Sequence, residues 1–148
     1  MGDAIEDGVR IDIGCVLPIV VGSTLEAERH DRAIAYELAD RLRPRAERAG
    51  LDLVVCTDVW YLHDAELSRR AAVSVGEPAV NALSAHLAAR VPSAYVIDGV
   101  LMVQYDVEAG CGHACCWGVG ADATARAVDA FVERYAPAFV EGAVEGLE

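Results

Sequence analysis

Residues 73–83 read VSVGEPAVNAL and mark a change from strand to helix. The β-branched run ends at Gly76, and Pro78 opens a segment with helical composition. Glycine lets a chain turn sharply after a strand, and proline is favoured in the first turn of a helix. The stretch therefore predicts an α/β fold in which a strand leads directly into a helix. Free backbone N–H groups at such a helix start attract anions, so the same stretch predicts a ligand site.

Apolar runs rich in valine and isoleucine alternate with helical patterns along the rest of the chain. Strands are expected at 11–21, 51–56, 71–75, 94–97, 100–103 and 111–117. Helices are expected at 26–49, at 78–90 and from Asp122 onwards, where Asp122 would be the N-cap. Pro44 is expected to end or kink the first helix, and 57–70 to form a loop with a short helix around 64–69. Asp98-Gly99 predicts a type I′ hairpin.

This pattern predicts one domain over residues 1–148, with a three-layer α/β sandwich. The sheet is expected to be mostly parallel, with an antiparallel hairpin in its C-terminal part. The apolar strand 100–103 and the C-terminal helix also suggest a homo-oligomer.

The chain is acidic, with a formal net charge of −12, and its 12 basic residues are all arginines. This charge argues against a nucleic-acid partner, because phosphate contacts need a basic surface. No apolar run is long enough for a bilayer span, and the acidic N-terminus does not read as a secretory signal. A cytoplasmic protein without a membrane partner is expected.

Polar or glycine-rich segments follow four of the predicted strands. The carboxyl ends of parallel strands meet at one edge of a sheet, where ligands of open α/β folds bind. We therefore expect a small polar or anionic metabolite at this edge. The candidate ligand-binding residues are Gly22, Ser23, Thr24, Trp60, Tyr61, Gly76, Glu77, Asn81, Trp117 and Asp122.

Two of these segments have a second interpretation. Ser23 and Thr24 could contact a phosphate, or could simply cap the following helix. Asp58 and His63 are the candidate catalytic residues, because an oriented histidine works as a general base near neutral pH. The alternative there is an aromatic patch with an exposed histidine. An enzyme, either a hydrolase or a flavin-dependent reductase, is thus an alternative to a binding domain, and the cofactor stays unknown.

The cysteine-rich segment 111–116 contains the candidate metal ligands Cys111, His113 and Cys115. Thiolate and imidazole are zinc ligands. On an extended strand, however, three alternate positions span about 13 Å, too far for one tetrahedral ion without a turn. Buried structural thiols are therefore favoured over a metal site.

Three segments resemble parts of two known families. Residues 75–81 and 117–127 resemble the strand-to-helix segment Gly-Gly-Pro-x-x-Asn, and the later glycine turn and helix start, of archaeal surface-layer protein domains. That resemblance implies a shared α/β unit, and it makes a non-catalytic assembly module a further alternative. Residues 21–35 are similar to the first phosphate loop and helix of flavodoxin-like reductases.

Overall fold

The computed structural model describes residues 3–6, 9–110 and 112–145, with side chains from 14 to 110 and from 112 to 144. Within these residues the chain forms eight strands: β1 (Asp3–Glu6), β2 (Val9–Asp12), β3 (Val16–Val21), β4 (Asp52–Thr57), β5 (Val73–Val75), β6 (Ser93–Ile97), β7 (Leu101–Tyr105) and β8 (Ala114–Gly118). The α-helices are α1 (Arg32–Arg48), α2 (Asp58–His63), α3 (Ala82–Leu87), α4 (Ala121–Arg134) and α5 (Ala136–Glu145). A π-helical turn, Ala27–Asp31, leads into α1, and short 3-10 turns cover Ile13–Cys15 and Leu67–Arg69.

The main sheet has six strands in the order β4-β3-β5-β8-β7-β6, while β1 and β2 form a separate hairpin. Strands β4, β3, β5 and β8 are parallel, and β7 is antiparallel to both of its neighbours. Because β4 and β5 lie on opposite sides of β3, the chain reverses its winding direction between β3 and β5. We call the edge of the sheet at which the four parallel strands end the carboxyl edge.

Helices cover both faces of the sheet. On one face α1, α4 and α5 surround a core that includes Leu38, Phe131 and Phe139. On the other face α2 and α3 pack around Tyr61 and Leu83. Alternate residues of β3 enter the two cores, as expected for a strand buried on both faces. The predicted three-layer α/β sandwich, mostly parallel with an antiparallel hairpin, is confirmed. No helix among the described residues is long and apolar enough to cross a membrane.

Three predicted helix boundaries differ from the structure. The residues after β4 form α2 instead of a loop, because the Thr57 hydroxyl accepts a hydrogen bond from the Trp60 N–H and starts a helix. Helix α3 begins after Asn81, well past Pro78. Pro44 lies exposed within α1, which continues to Arg48, since the buried face of the helix overrides the local preference of proline.

Other differences concern the starts of β3 and α4 and one turn. Strand β3 begins at Val16, not at residue 11, because a 3-10 turn separates it from β2. Gly120, not Asp122, holds the N-cap position of α4, with φ 88°. The β6–β7 hairpin pairs Ile97 with Leu101 around a three-residue loop, so it is not a two-residue type I′ turn.

Candidate functional site

The connections at the carboxyl edge pack tightly against one another. A Cβ atom added to Gly22 would overlap the carbonyl oxygen of Val80. A Cβ added to Gly76 would lie 2.5 Å from Oδ2 of Asp31, and the φ of Gly76 is +121°, which favours glycine. These two glycines let the chain after β3 and the chain after β5 fill the space where a ligand is expected.

Asn81 joins the two strands at the point where the winding reverses. Its Nδ2 donates to the carbonyls of Val20 and Val75, at 3.1 and 3.0 Å. Its Oδ1 accepts from the N–H groups of Leu83 and Ser84, at 2.9 and 3.1 Å. An asparagine amide has two donor hydrogens and an oxygen that accepts two bonds. Asn81 is fully buried and its amide is fully used, so it holds the strands and helix together rather than facing a ligand.

Asp58 and His63, the candidate catalytic pair, are not brought together. Asp58 is buried and accepts hydrogen bonds from the Ser23 hydroxyl at 2.5 Å, from the Val59 N–H at 2.8 Å and from the Ala82 N–H at 2.7 Å. These bonds tie the chain after β3 to α2 and α3. His63 is exposed, and no hydrogen bond within the described part of the chain links it to a carboxylate. The geometry therefore gives no support to a general base at His63.

The hydroxyls of the first connection are also occupied. Thr24 accepts a hydrogen bond from the Ala27 N–H at 3.1 Å and so caps the turn that leads into α1. With Ser23 bound to Asp58, neither side chain points to phosphate or flavin binding. Among the other candidates, Asp122 is exposed in the first turn of α4, and Trp117 is partly buried on the α3 side of the sheet.

A small acid-lined crevice remains at the carboxyl edge, with a volume of about 20 Å³. Glu26, His30, Asp31 and Glu77 line it, together with Val80, Gly120, Ala121 and Thr124. Burial, together with the charges of Glu26 and Glu77 and against that of His30, raises the pKa of Asp31 to about 6. Three carboxyl groups around one crevice repel an anion, so the crevice is unsuited to the anionic metabolite that we expected here.

The cysteine-rich segment behaves as part of the core. Cys115 and Cys116 are fully buried on opposite faces of β8, and Cys115 Sγ lies 3.3 Å from the Ser84 hydroxyl. Burial raises the pKa of the Cys115 thiol to about 11 and that of Cys116 well above its usual value. Cys111 lies outside the described residues. In the rest of the described chain, no group of three or more histidine, cysteine or acidic side chains is arranged to hold a metal ion.

A larger cavity, of about 330 Å³, lies between α2 and α3. We call it the α2–α3 cavity. Because His113 comes directly before β8, the cavity lies towards the end of the sheet at which the parallel strands begin. Its lining residues combine aliphatic, hydroxyl and basic side chains: Tyr61, Leu62, Ser68, Leu83, His86, Leu87, Arg90, Val91 and His113.

A hydrogen-bonded pair, Tyr61 and His113, forms part of the cavity wall. The Tyr61 hydroxyl lies 2.6 Å from the carbonyl oxygen of Arg70 and 2.8 Å from Nε2 of His113. A carbonyl only accepts, so the phenolic proton goes to Arg70 and His113 donates its Nε2 proton to the Tyr61 oxygen. Burial, aided by nearby His86, lowers the pKa of His113, which makes the ring neutral at pH 7. In that neutral form Nδ1 is an acceptor.

Sequence reasoning did not find this cavity, although it singled out two of its residues. Tyr61 was expected at the carboxyl edge, and His113 was named only as a candidate metal ligand in a segment for which structural thiols were favoured. The two residues are 52 positions apart in the chain. Only one local signal was available: His86 and Arg90 are four residues apart, a spacing that places two basic side chains on one side of a helix.

Neither a protein-family model nor a curated protein matches this chain, so its function is inferred from the geometry of these two places.

Proposed function

We propose that this protein is a small-molecule-binding domain that holds a weak organic acid with an apolar body in the α2–α3 cavity. One observation carries the proposal. In a chain with net charge −12, this cavity is lined by His86, Arg90 and His113 and, among the residues that the structure describes, by no aspartate or glutamate. Such a local excess of basic groups attracts an anionic or proton-donating ligand despite the charge of the whole protein.

The size and lining of the cavity suit a compact ligand. A volume of about 330 Å³ falls within the range of small-molecule sites, which are mostly apolar with a few polar groups. Leu62, Leu83, Leu87 and Val91 supply an aliphatic wall. A short fatty acid or an aromatic acid would place its apolar part against this wall and its acid group near the basic side chains.

Because of the Tyr61–His113 hydrogen bond, a carboxylate can bind to His113 only if a proton is also taken up. Because Nε2 already donates to Tyr61, His113 gives a second hydrogen bond only if Nδ1 is also protonated. A carboxylate that contacts Nδ1 therefore binds together with one proton, and a protonated acid brings that proton itself. The affinity for a carboxylate should fall as the pH rises through neutrality.

Calorimetric titration with benzoate and octanoate tests the proposal. Arg90→Gln removes an exposed charge at the cavity and should weaken benzoate binding about tenfold, the lower end for a charge-assisted hydrogen bond. Arg126→Gln changes another exposed arginine, on α4, and is the control that should bind benzoate as the wild type does. Equal affinity for benzyl alcohol and benzoate, or an unchanged affinity in Arg90→Gln, would contradict the proposal.

Cys56, Cys115 and Cys116 are buried thiols without a disulfide. Free thiols are typical of reducing compartments, which supports our placement of the protein in the cytoplasm.

A second candidate function is an assembly module, as the resemblance to surface-layer domains implies. Exposed apolar side chains cluster in the connections at the carboxyl edge: Leu25, Val59, Trp60 and Val119 are each at least half exposed. Exposed patches of this kind mark protein–protein contacts. Light scattering of the wild type and of Trp60→Ser tests a homo-oligomer. A monomer at high protein concentration would exclude self-assembly through this surface.

A further inference from the structure

The acid-lined crevice contains a buried carboxylate that has no bonding partner. Only 7% of the Asp31 surface is accessible, and the side chain lines the crevice. Within residues 14–110 and 112–144, no hydrogen bond or ion pair is made by the Asp31 carboxylate. A buried charge without a partner is unfavourable by several kcal/mol, and native proteins normally pair such a group.

The residues around Asp31 add further negative charge that is not balanced by basic side chains. Glu26 and Glu77 line the same crevice, and His30 is the only basic side chain among the crevice residues described above. The nearby arginine Arg32 is bound to Glu28 at 2.9 Å. The crevice therefore has a negative potential, and one of the groups that line it is a buried acceptor.

The size of the crevice restricts what it could hold. A volume of about 20 Å³ fits one group of the size of a water molecule. A planar guanidinium group is larger than this. A metal ion of this size usually needs several converging ligands, and no such group of three exists among the described residues. An ammonium group has the right size and charge, and it needs only hydrogen-bond acceptors.

We propose that the acid-lined crevice binds an alkylammonium group, with Asp31 as the direct acceptor and Glu26 and Glu77 as surrounding charges. The group must come from another molecule or from a chain terminus, because this chain contains no lysine. Leu25 and Val119, which are 75% and 64% exposed, follow β3 and β8 next to crevice residues and would contact the alkyl part of the ligand.

An NMR titration with n-butylammonium chloride at constant ionic strength tests the proposal. Shift changes should concentrate in 25–31, 76–80 and 119–124. Asp31→Asn should weaken binding at least tenfold. Glu47→Gln removes an exposed carboxylate from α1, far along the helix, and should leave the affinity unchanged. Butanol and tetramethylammonium, which lack either the charge or the N–H donors, should not bind.

The affinity should also rise between about pH 5 and pH 8, as Asp31 loses its proton and accepts the ammonium hydrogen bonds. Glu26, Glu77 and His30 face the same space. Because Glu26 and Glu77 help to raise the pKa of Asp31, the double variant Glu26→Gln/Glu77→Gln should bind more weakly and move this pH dependence to lower pH.

Two further probes distinguish the source of the ammonium group. Tighter binding of 1,4-diaminobutane than of N-acetyl-lysine methylamide indicates a free amine, and the reverse indicates a lysine of another protein. Both results support an ammonium site. The proposal is overturned if Asp31→Asn binds butylammonium as the wild type does, if no shifts occur, or if calcium chloride displaces the amine at much lower concentration.

Discussion

The carboxyl edge and the α2–α3 cavity both contain several polar side chains but use them in different ways. At the carboxyl edge Ser23 donates to Asp58, while Asp58 and Asn81 bind backbone groups, so these polar side chains hold the connections together. In the α2–α3 cavity His86 and His113 line a space that is left open. Polar residues after a strand therefore do not by themselves indicate a ligand site. Where the winding of the sheet reverses, hydrogen bonds are also needed to hold the neighbouring connections together. A polar group with a hydrogen-bonding atom that is not yet used indicates a ligand site better than the position of that group in the fold does.

The strongest test of the closed carboxyl edge is Gly22→Ala. The new methyl group would overlap the backbone carbonyl of Val80, which cannot rotate away, so we expect a loss of about 3 kcal/mol or more in the free energy of unfolding. Gly99→Ala is the control, because Gly99 has a φ of +71° but open space around it, and should lose only about 1–2 kcal/mol. Urea unfolding followed by circular dichroism measures both. Equal losses would mean that the two connections are not in tight contact.

Asn81→Ala tests the same edge through its hydrogen bonds. It removes the hydrogen bonds that Asn81 makes to two carbonyls and two helix N–H groups, so a loss of about 3 kcal/mol is expected. Thr57→Ala removes only an N-cap bond and should cost about 1 kcal/mol. The comparison uses urea midpoints of both variants at one pH. A loss in Asn81→Ala no greater than in Thr57→Ala would show that the bonds to β3 and β5 contribute little.

Asp31→Asn should stabilise the protein. The pKa of Asp31 is about 6 in the folded protein against a usual value of 3.8, so the folded state holds the proton more tightly. Below about pH 4 the Asp31 side chain is protonated in both states and does not reduce the free energy of unfolding. As the pH rises through 6 the free energy of unfolding falls, by at most about 3 kcal/mol in all. Asparagine resembles the neutral acid, so Asp31→Asn should raise the melting temperature at pH 8 and leave it unchanged near pH 4.

The matched control for this prediction is again Glu47→Gln, which should show no comparable gain. A variant Asp31→Asn that is less stable than the wild type at pH 8 would mean that Asp31 has a partner that offsets its burial.

Tyr61→Phe should have a modest effect on stability and a specific effect on the cavity. Loss of the hydroxyl removes the bonds to Arg70 and His113 and should cost about 1–2 kcal/mol. The Nε2 proton of His113 then has no acceptor at this position, so the imidazole should populate both neutral tautomers. Nitrogen chemical shifts of His113 report the tautomers directly. An unchanged tautomer would show that Tyr61 does not orient the ring.

The fold could be predicted from the sequence because the local hydrophobic periodicity gives the order of strands and helices, and that order implies the three layers. The apolar strands, the helical spacing around Leu38 and the sequence 73–83 were enough for the three layers. Helix α2 was missed because its start depends on one hydroxyl, that of Thr57, and not on an apolar repeat. The α2–α3 cavity was missed because it depends on where α3 ends relative to His113, which no local pattern records. The closure at Asn81 was missed because the same residue type suits a ligand site and a strand junction equally well.

The π-helical turn Ala27–Asp31 has a consequence for how the chain tolerates the loss of a residue. Removal of one residue from an α-helix rotates everything beyond it by about 100°, which normally takes the apolar face out of the core. A π-helical turn holds one residue more per hydrogen-bonded ring than an α-turn. Deletion within this segment should therefore convert it to a regular α-turn and keep the buried face of α1 in place. Asp31 would then change its direction while the fold remained, so the crevice could be lost without loss of the domain.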